Sequence, residues 1–355
     1  MSVLATLSAL AVLAAPPLFE QGLRPLRDVS APPQVDSLSA RACGTCHEEE
    51  YAQWATSRHA SAFTNELFRA SFGRSRRTWC VHCHAPLPEQ QRPALAPREG
   101  EDLSLLDEGV TCAACHLRGG QVLSARAPSA EALEAHPVRH EPRLATAEAC
   151  TGCHQFNVPR PDTRTFQPGD VPMQDTGAEW ASSHAASQGL TCQRCHMAKG
   201  HQFPGAHTPG YVAGALSVRF QVEAGRALVA EVRSQGAGHR VPTGDPFRRL
   251  RLQLCQDADC AAPLATRILS RRFVWSPQAF RAAGDTTVPV ETDTTPPVRR
   301  LEFPLSALPG PLPPVLHWRL DYLLAEPELE GLVPPGALRL EVHHGTVAPG
   351  PLPAR

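Results

Sequence analysis

The chain changes its hydrophobic rhythm twice. From Ser2 to Ala15 the side chains are small or apolar without interruption, and Pro16 and Pro17 close the run. That is too short for a membrane-spanning helix, which takes about 20 apolar residues. It has the length of a signal-peptide apolar region ending at a small-residue cleavage site, Ala14-Ala15, although no Lys or Arg precedes it. Between Glu48 and Ala62 few helix breakers occur, which predicts a helix carrying Trp54 and His59 near its far end. A second helix is expected to open at Ser129, a good N-cap, and to stop at Pro137. From about Tyr211 the period falls to two. Leu216, Val218, Phe220 and Val222 alternate with polar neighbours, a turn follows at Ala224-Gly225, and a second apolar stretch runs through Val232, the pattern of a β-hairpin. The same alternation returns at Leu250-Leu252-Leu254, Leu316-Trp318-Leu320-Tyr322 and Leu338-Leu340-Val342, between connections rich in proline and glycine.

The pattern predicts an α+β chain: a mostly helical, loop-rich part followed by an antiparallel, β-sandwich-like part. The expected divisions are a signal peptide at 1–15, a linker at 16–38, a first domain at 39–210 and a second at 211–355, and a length of 355 residues suits two domains. A formal net charge of -1 gives no sign of steering toward nucleic acid. The signal-like start makes the periplasm or the extracellular space the expected location, and with no other stretch able to cross a bilayer as a helix the mature protein is expected to be soluble.

Twelve cysteines would be unusual in a cytosolic enzyme unless they bind metal or do redox work. Ten of them fall in five copies of one motif: Cys43-Gly44-Thr45-Cys46-His47, Cys80-Val81-His82-Cys83-His84, Cys112-Ala113-Ala114-Cys115-His116, Cys150-Thr151-Gly152-Cys153-His154 and Cys192-Gln193-Arg194-Cys195-His196. Two thiols at this spacing form thioethers with the two vinyl groups of one haem, and the following imidazole ligates its iron. Zinc ribbons also use Cys-x-x-Cys pairs, but have no need of a histidine after every second cysteine. The expected cofactors are therefore five covalently attached haem c groups, ligated by His47, His84, His116, His154 and His196.

A haem iron with a second protein ligand is built for electron transfer, and one without can bind substrate. Eight spare histidines precede Leu250: His59, His82, His136, His140, His184, His201, His207 and His239. Beyond Met1 the only methionines are Met173 and Met197, so ligation by two histidines is expected. His59 and His184 occur in a repeated phrase, Trp54-Ala55-Thr56-Ser57-Arg58-His59 and Trp180-Ala181-Ser182-Ser183-His184. A second repeat, Gly109-Val110-Thr111-Cys112 and Gly189-Leu190-Thr191-Cys192, precedes the third and fifth motifs and suggests duplicated units. His59 lies too far along a straight helix from His47 to share its iron, and is expected to serve a neighbour. The other candidates are His136 or His140, with His136 preferred, His201 or His207 in a Pro/Gly-rich loop, His82 inside a motif, and His239. The two remaining cysteines, Cys255 and Cys260, are expected to form a disulfide.

These residues resemble the multihaem cytochrome c family that includes the tetrahaem electron carrier partnered with hydroxylamine oxidoreductase. The likeness rests on Trp54-x-x-Ser57-x-His59, on Gly109-Val110-Thr111 leading into Cys112, on Cys150-x-x-Cys153-His154-Gln155-Phe156, on Glu179-Trp180, and on Cys192 to Met197 with the His201-x-Phe203-Pro204-Gly205 loop. It covers roughly residues 40 to 210 and implies closely packed haem pairs. Gly238-His239-Arg240-Val241-Pro242-Thr243-Gly244 resembles a loop that follows haem domains in this family, which implies that His239 reaches a haem. Pentahaem nitrite reductases carry a lysine-ligated haem through Cys-x-x-Cys-Lys, whereas all five motifs here end in His. The expected function is one-electron transfer between redox partner proteins, with a place in a membrane-linked redox complex as a further expectation. The alternative is a haem oxidoreductase acting on a small nitrogen or sulfur compound.

Overall fold

The structure is a computed structural model that describes residues 18–19, 26–160, 168–223, 225–275, 280–325, 327–329 and 331–349. The expected signal peptide at 1–15 lies outside them. The chain mixes helices with antiparallel sheets, the α+β character its periodicities predict. Among the described residues no helix is long and apolar enough to cross a membrane.

Helices in the first part are short. The helix expected over Glu48–Ala62 ends at Ala55, because Thr56 Oγ1 turns back to the Gln53 carbonyl and Ser57 Oγ accepts from the Ala60 amide. Hydroxyl groups that bond the local backbone compete with helix in this way. The helix Ala130–Ala135 starts as expected, with Ser129 Oγ accepting from the Ala132 amide. Apolar packing here is divided between two small clusters, one around Leu87, Leu117 and Leu123, the other around Phe72, Val81 and Leu106.

The larger core belongs to seven strands after residue 215. They are β1 (Leu216–Glu223), β2 (Ala227–Ser234), β3 (Arg249–Cys255), β4 (Pro263–Leu269), β5 (Val298–Pro304), β6 (Leu316–Leu323) and β7 (Arg339–Val347). β1 and β2 form the expected hairpin, and β5 pairs with β2 to complete a sheet of three. The second sheet runs β7-β6-β3-β4. Leu228, Ala230, Val232 and Phe303 of the first sheet join Leu250, Leu252, Leu254, Leu316 and Leu320 of the second in one apolar core. Alternate residues of a strand share a face, which is why the period-two pattern was visible. Cys255 and Cys260 are disulfide-bonded across the β3–β4 connection, with Cα atoms 5.2 Å apart.

The sequence repeat has a physical counterpart. Trp54 Nε1 donates to the Val110 carbonyl at 2.8 Å, and Trp180 Nε1 donates to the Leu190 carbonyl at 2.8 Å. Each accepting carbonyl stands two residues before an attachment cysteine. The amides of Val110 and Leu190 return to His59 O and Ala185 O, each at 3.0 Å. Gly109 and Gly189, with φ of 61° and 71°, make the left-handed turn that both loops need. Trp54→Phe, which leaves a part-buried carbonyl without its donor, is expected to lower stability by about 1–3 kcal/mol. Trp180→Phe, at a more exposed bond, should cost under about 1 kcal/mol. Urea denaturation of both variants measures the difference, and equal losses would mean that burial does not set the cost.

Candidate functional site

All five motifs lie on short helices or at their ends: Ala40–Gly44, Thr78–His84, Cys112–His116, Glu148–His154 and Cys192–His196. Helical spacing sets residues three and four apart on one side, so each Cys-x-x-Cys-His presents both thiols and the imidazole together. They all line one connected cavity of about 3610 Å³, several times the roughly 300–1,000 Å³ of a pocket for one small ligand. The strand-rich part completes the wall with His239, Arg248, Arg271, Tyr322 and Leu324.

Across this cavity, histidine rings face one another in pairs drawn from distant segments. His47 meets His136 with ring centroids 6.4 Å apart, His59 meets His154 at 6.5 Å, His116 meets His201 at 6.2 Å, and His196 meets His239 at 6.1 Å. Two imidazoles that ligate one metal ion from opposite sides, through bonds of about 2 Å with the ring centre about 1 Å beyond, have centroids about 6 Å apart. Each pair therefore fits one haem iron held between them. Among the described residues no three His, Cys, Asp or Glu side chains converge as they would around a bare metal ion.

The ring nitrogens away from the gap are anchored. His84 Nδ1 bonds Ala62 O at 2.7 Å, His116 Nδ1 bonds Leu123 O at 2.8 Å, His196 Nδ1 bonds Pro204 O at 2.7 Å, and His239 Nδ1 bonds Arg240 O at 2.9 Å. A carbonyl accepts only, so Nδ1 carries the proton and Nε2 keeps the lone pair a metal requires. Burial, reinforced by neighbouring imidazoles, pushes His59 down to about 4; burial does the same to His84 and His239, opposed in each by the carbonyl bond. These rings are held neutral at neutral pH, the state that ligates.

His239 sits where it does because its loop is pinned. Buried Glu179 accepts from Thr243 Oγ1 at 2.5 Å and from the Arg240 amide at 3.2 Å, and Val241 pairs with Val288. His201 is set by Gln53, whose Oε1 accepts the His201 amide at 2.8 Å, close beside left-handed Gly200.

Of the expected second histidines, the structure brings His59, His136, His201 and His239 to motif histidines. His140 is instead exposed, with Nε2 3.2 Å from Ala125 O. His184 is placed away from the motif histidines. It is exposed beside Asp293 and does not line the cavity. The reason is an offset of one residue: His59 follows its tryptophan by five positions and His184 by four, so Ala185 takes the place that His59 holds in the first unit. His207 lines the cavity but stands against Arg248. His84 stacks on Phe68 at 3.9 Å, and among the described residues no second histidine ring faces it as in the four pairs. Sequence reasoning missed Arg58 and Arg248, which are ordinary in pattern and lie near the site only once the chain is folded.

Residues 42–117, which include the first three motifs, match the family model described as cytochrome c554 and c-prime. Among solved structures, the fold is similar to that of a penta-heme cytochrome c552 from Thermochromatium tepidum, with a TM-score of 0.64 and 20% sequence identity, over 87% of this chain and 98% of that one. Among curated proteins none matches the chain significantly. The family match over residues 42–117 agrees with the class to which the motifs point, a multihaem c-type cytochrome. At this identity the structural match is a likeness of fold.

Glu179 gives the site a pH dependence. Burial raises its carboxyl above the ordinary range, against the opposing bond from Thr243. The protonated form is thus favoured in the folded chain, so stability is greatest below the unfolded carboxyl pKa and declines as pH rises toward the folded one. Glu179→Gln is expected to flatten that slope in thermal unfolding measured from pH 4 to 8, roughly the span of such carboxyls. An unchanged slope would assign it to other groups.

Proposed function

We propose that this chain is an exported multihaem c-type cytochrome that transfers single electrons through five covalently attached haems. Residues 39–210 carry the haems, and residues 211–355 form a β-sandwich-like domain that closes the cavity and supplies His239. The observation that carries this reading is the set of four facing histidine pairs at one spacing, each joining a motif histidine to a ring from elsewhere in the chain. When bound, haem c supplies a one-electron iron couple, and ligation by two histidines favours low potential and outer-sphere transfer.

Adjacency of the attachment points supports a continuous path. The attachment cysteines Cys43 and Cys112 lie within electrostatic reach of each other, as do Cys83 and Cys153, and Cys150 and Cys192. The second motif thus adjoins the fourth, the fourth adjoins the fifth, and the first adjoins the third. Cys115 of the third motif lies within electrostatic reach of Cys153 of the fourth, which joins the two sets. Cys46 and Cys195, in the first and fifth motifs, are exposed, where redox partners of either kind could approach. The donor and acceptor of the tetrahaem carrier are not transferred to this chain.

A second reading has its own support in His84, which among the described residues stacks on Phe68 and faces no histidine ring as the four pairs do. An iron ligated there on one side only would accept a small nitrogen or sulfur compound, and the chain would then be an oxidoreductase fed by the other four haems.

Pyridine haemochrome assay with resting-state EPR tests both readings. Five haems per chain are expected, four low-spin and one high-spin. A count below five would overturn the pentahaem reading, and a wholly low-spin spectrum would remove the second. His136→Ala is expected to convert one low-spin signal to high-spin while His140→Ala leaves the spectrum unchanged; the reverse result would exchange their roles.

A further inference from the structure

Arg248 stands at the cavity wall without a carboxylate in direct contact among the described residues. Its Nη2 lies 3.5 Å from His207 Nε2, while its Nη1 is buried without a hydrogen-bond partner. A buried guanidinium nitrogen left unpaired is costly, and native structures almost always satisfy one. Arg58 lines the same cavity and lies close enough for the two positive charges to disfavour one another. Among the described residues no carboxylate comes within 4.0 Å of either guanidinium. Asp245 and Glu66 act on them only from farther away, and burial raises the Asp245 carboxyl above its ordinary range. His207 is kept neutral by burial and by both arginines, so it adds a polar nitrogen without a competing charge. The site adjoins the unpaired motif histidine: Ala62, whose carbonyl bonds His84 Nδ1 at 2.7 Å, stands four residues after Arg58, and Arg58, Ala62, His84, His207 and Arg248 line the same cavity. Two arginines held together, one with a donor to spare, form the arrangement that binds an oxyanion.

We propose that Arg248, Arg58 and His207 form a binding site for one small oxyanion beside the haem held by Cys80, Cys83 and His84. The proposal rests on the haem reading above and adds the chemistry of what that haem would meet. A guanidinium is matched to a planar anion with two oxygens, and a carboxylate and nitrite share that shape. The anion has two sources: a soluble oxyanion entering the cavity, or a propionate of a neighbouring haem.

The test uses the complete haem-loaded protein, with nitrite as the soluble probe, and every variant is first counted for haem. Five haems in each variant keep the haem reading intact whatever follows, and a lower count in the unmutated protein would be a failure of that reading alone. If the site takes a soluble anion, nitrite perturbs the high-spin signal and the Soret band saturably. Arg248→Gln then weakens its apparent affinity roughly tenfold or more, the loss of one hydrogen bond to a charged group. Arg248→Lys, which keeps the charge but not the fork, retains part of it, and Arg58→Gln weakens it as well. If nitrite has no effect but Arg248→Gln lowers the potential of one haem in a spectroelectrochemical titration, the anion is the propionate. Nitrite binding that Arg248→Gln and Arg58→Gln leave unchanged, with all five potentials also unchanged, overturns the proposal. So does the absence of both nitrite binding and a shift in potential.

Discussion

Two imidazoles facing each other across about 6 Å impose a demanding geometry, and much of the first part of the chain is arranged to meet it. Each ring must be neutral, must turn one nitrogen inward, and must be held from behind. Burial supplies the neutrality, as at His59 and His239. Main-chain carbonyls behind His116, His196 and His239 fix the rings, which sets the tautomer as well as the direction. Because partners such as His47 and His136 come from distant segments, every pair is also a long-range cross-connection. The motif helices are only five to seven residues long, well short of the roughly 12–15 at which an isolated helix begins to be stable in water. Their two apolar clusters are small. On the haem reading, the thioether and histidine attachments do for this part what the Leu-rich core does for the strands.

The strand-rich part is more than an appendage to that shell. Its own stability comes from β3 and β6, whose inward leucines are sealed against the first sheet. This gives a firm base from which the loop after β2 can present His239. Glu179, from the first part, receives hydrogen bonds from that loop at two points, so the halves are joined by a buried polar link as well as by the facing pair His196 and His239. A buried carboxyl is costly unless satisfied; both loop bonds reach Oε2 while Oε1 is buried without a hydrogen-bond partner, so part of that cost remains in a contact that directs one particular loop to one particular ring.

What could be read from the sequence follows from the range of each signal. Attachment motifs are local and chemically constrained, so all ten cysteines and five motif histidines could be nominated from the sequence alone. Strands such as β1, β3 and β6 were legible because one face of each is buried. The partner histidines were partly so: His59 and His136 could be nominated, but the partner of each is a fact of tertiary structure. The position of His184 is instructive, since the repeat that suggested it is real. The tryptophan, the serine three positions on and the glycine turn all recur in space, yet one missing residue places Ala185 against the Leu190 amide and turns His184 to solvent. A repeated phrase conserves the hydrogen bonds that define the unit, and a side chain one position out of register does not inherit the role. Arg248 could not be found at all, because it becomes notable only when the cavity leaves it unpaired.

The odd position of His84 gains meaning from the order of the attachment points. If Cys43 adjoins Cys112, Cys115 lies near Cys153, and Cys150 adjoins Cys192, a line of four motifs runs first, third, fourth, fifth, with its two ends at exposed cysteines. The second motif is off that line, joined to the fourth through Cys83 and Cys153. The four motifs on the line are those whose histidines have facing partners, and the one on the branch is the one whose histidine does not. A through-route benefits from irons whose coordination does not change as electrons pass, because little then has to rearrange. A branch is free of that demand, and can be charged from the line without interrupting it. Pairing and position thus vary together in this fold, which is the pattern expected if conduction and small-ligand binding are divided between the line and its branch.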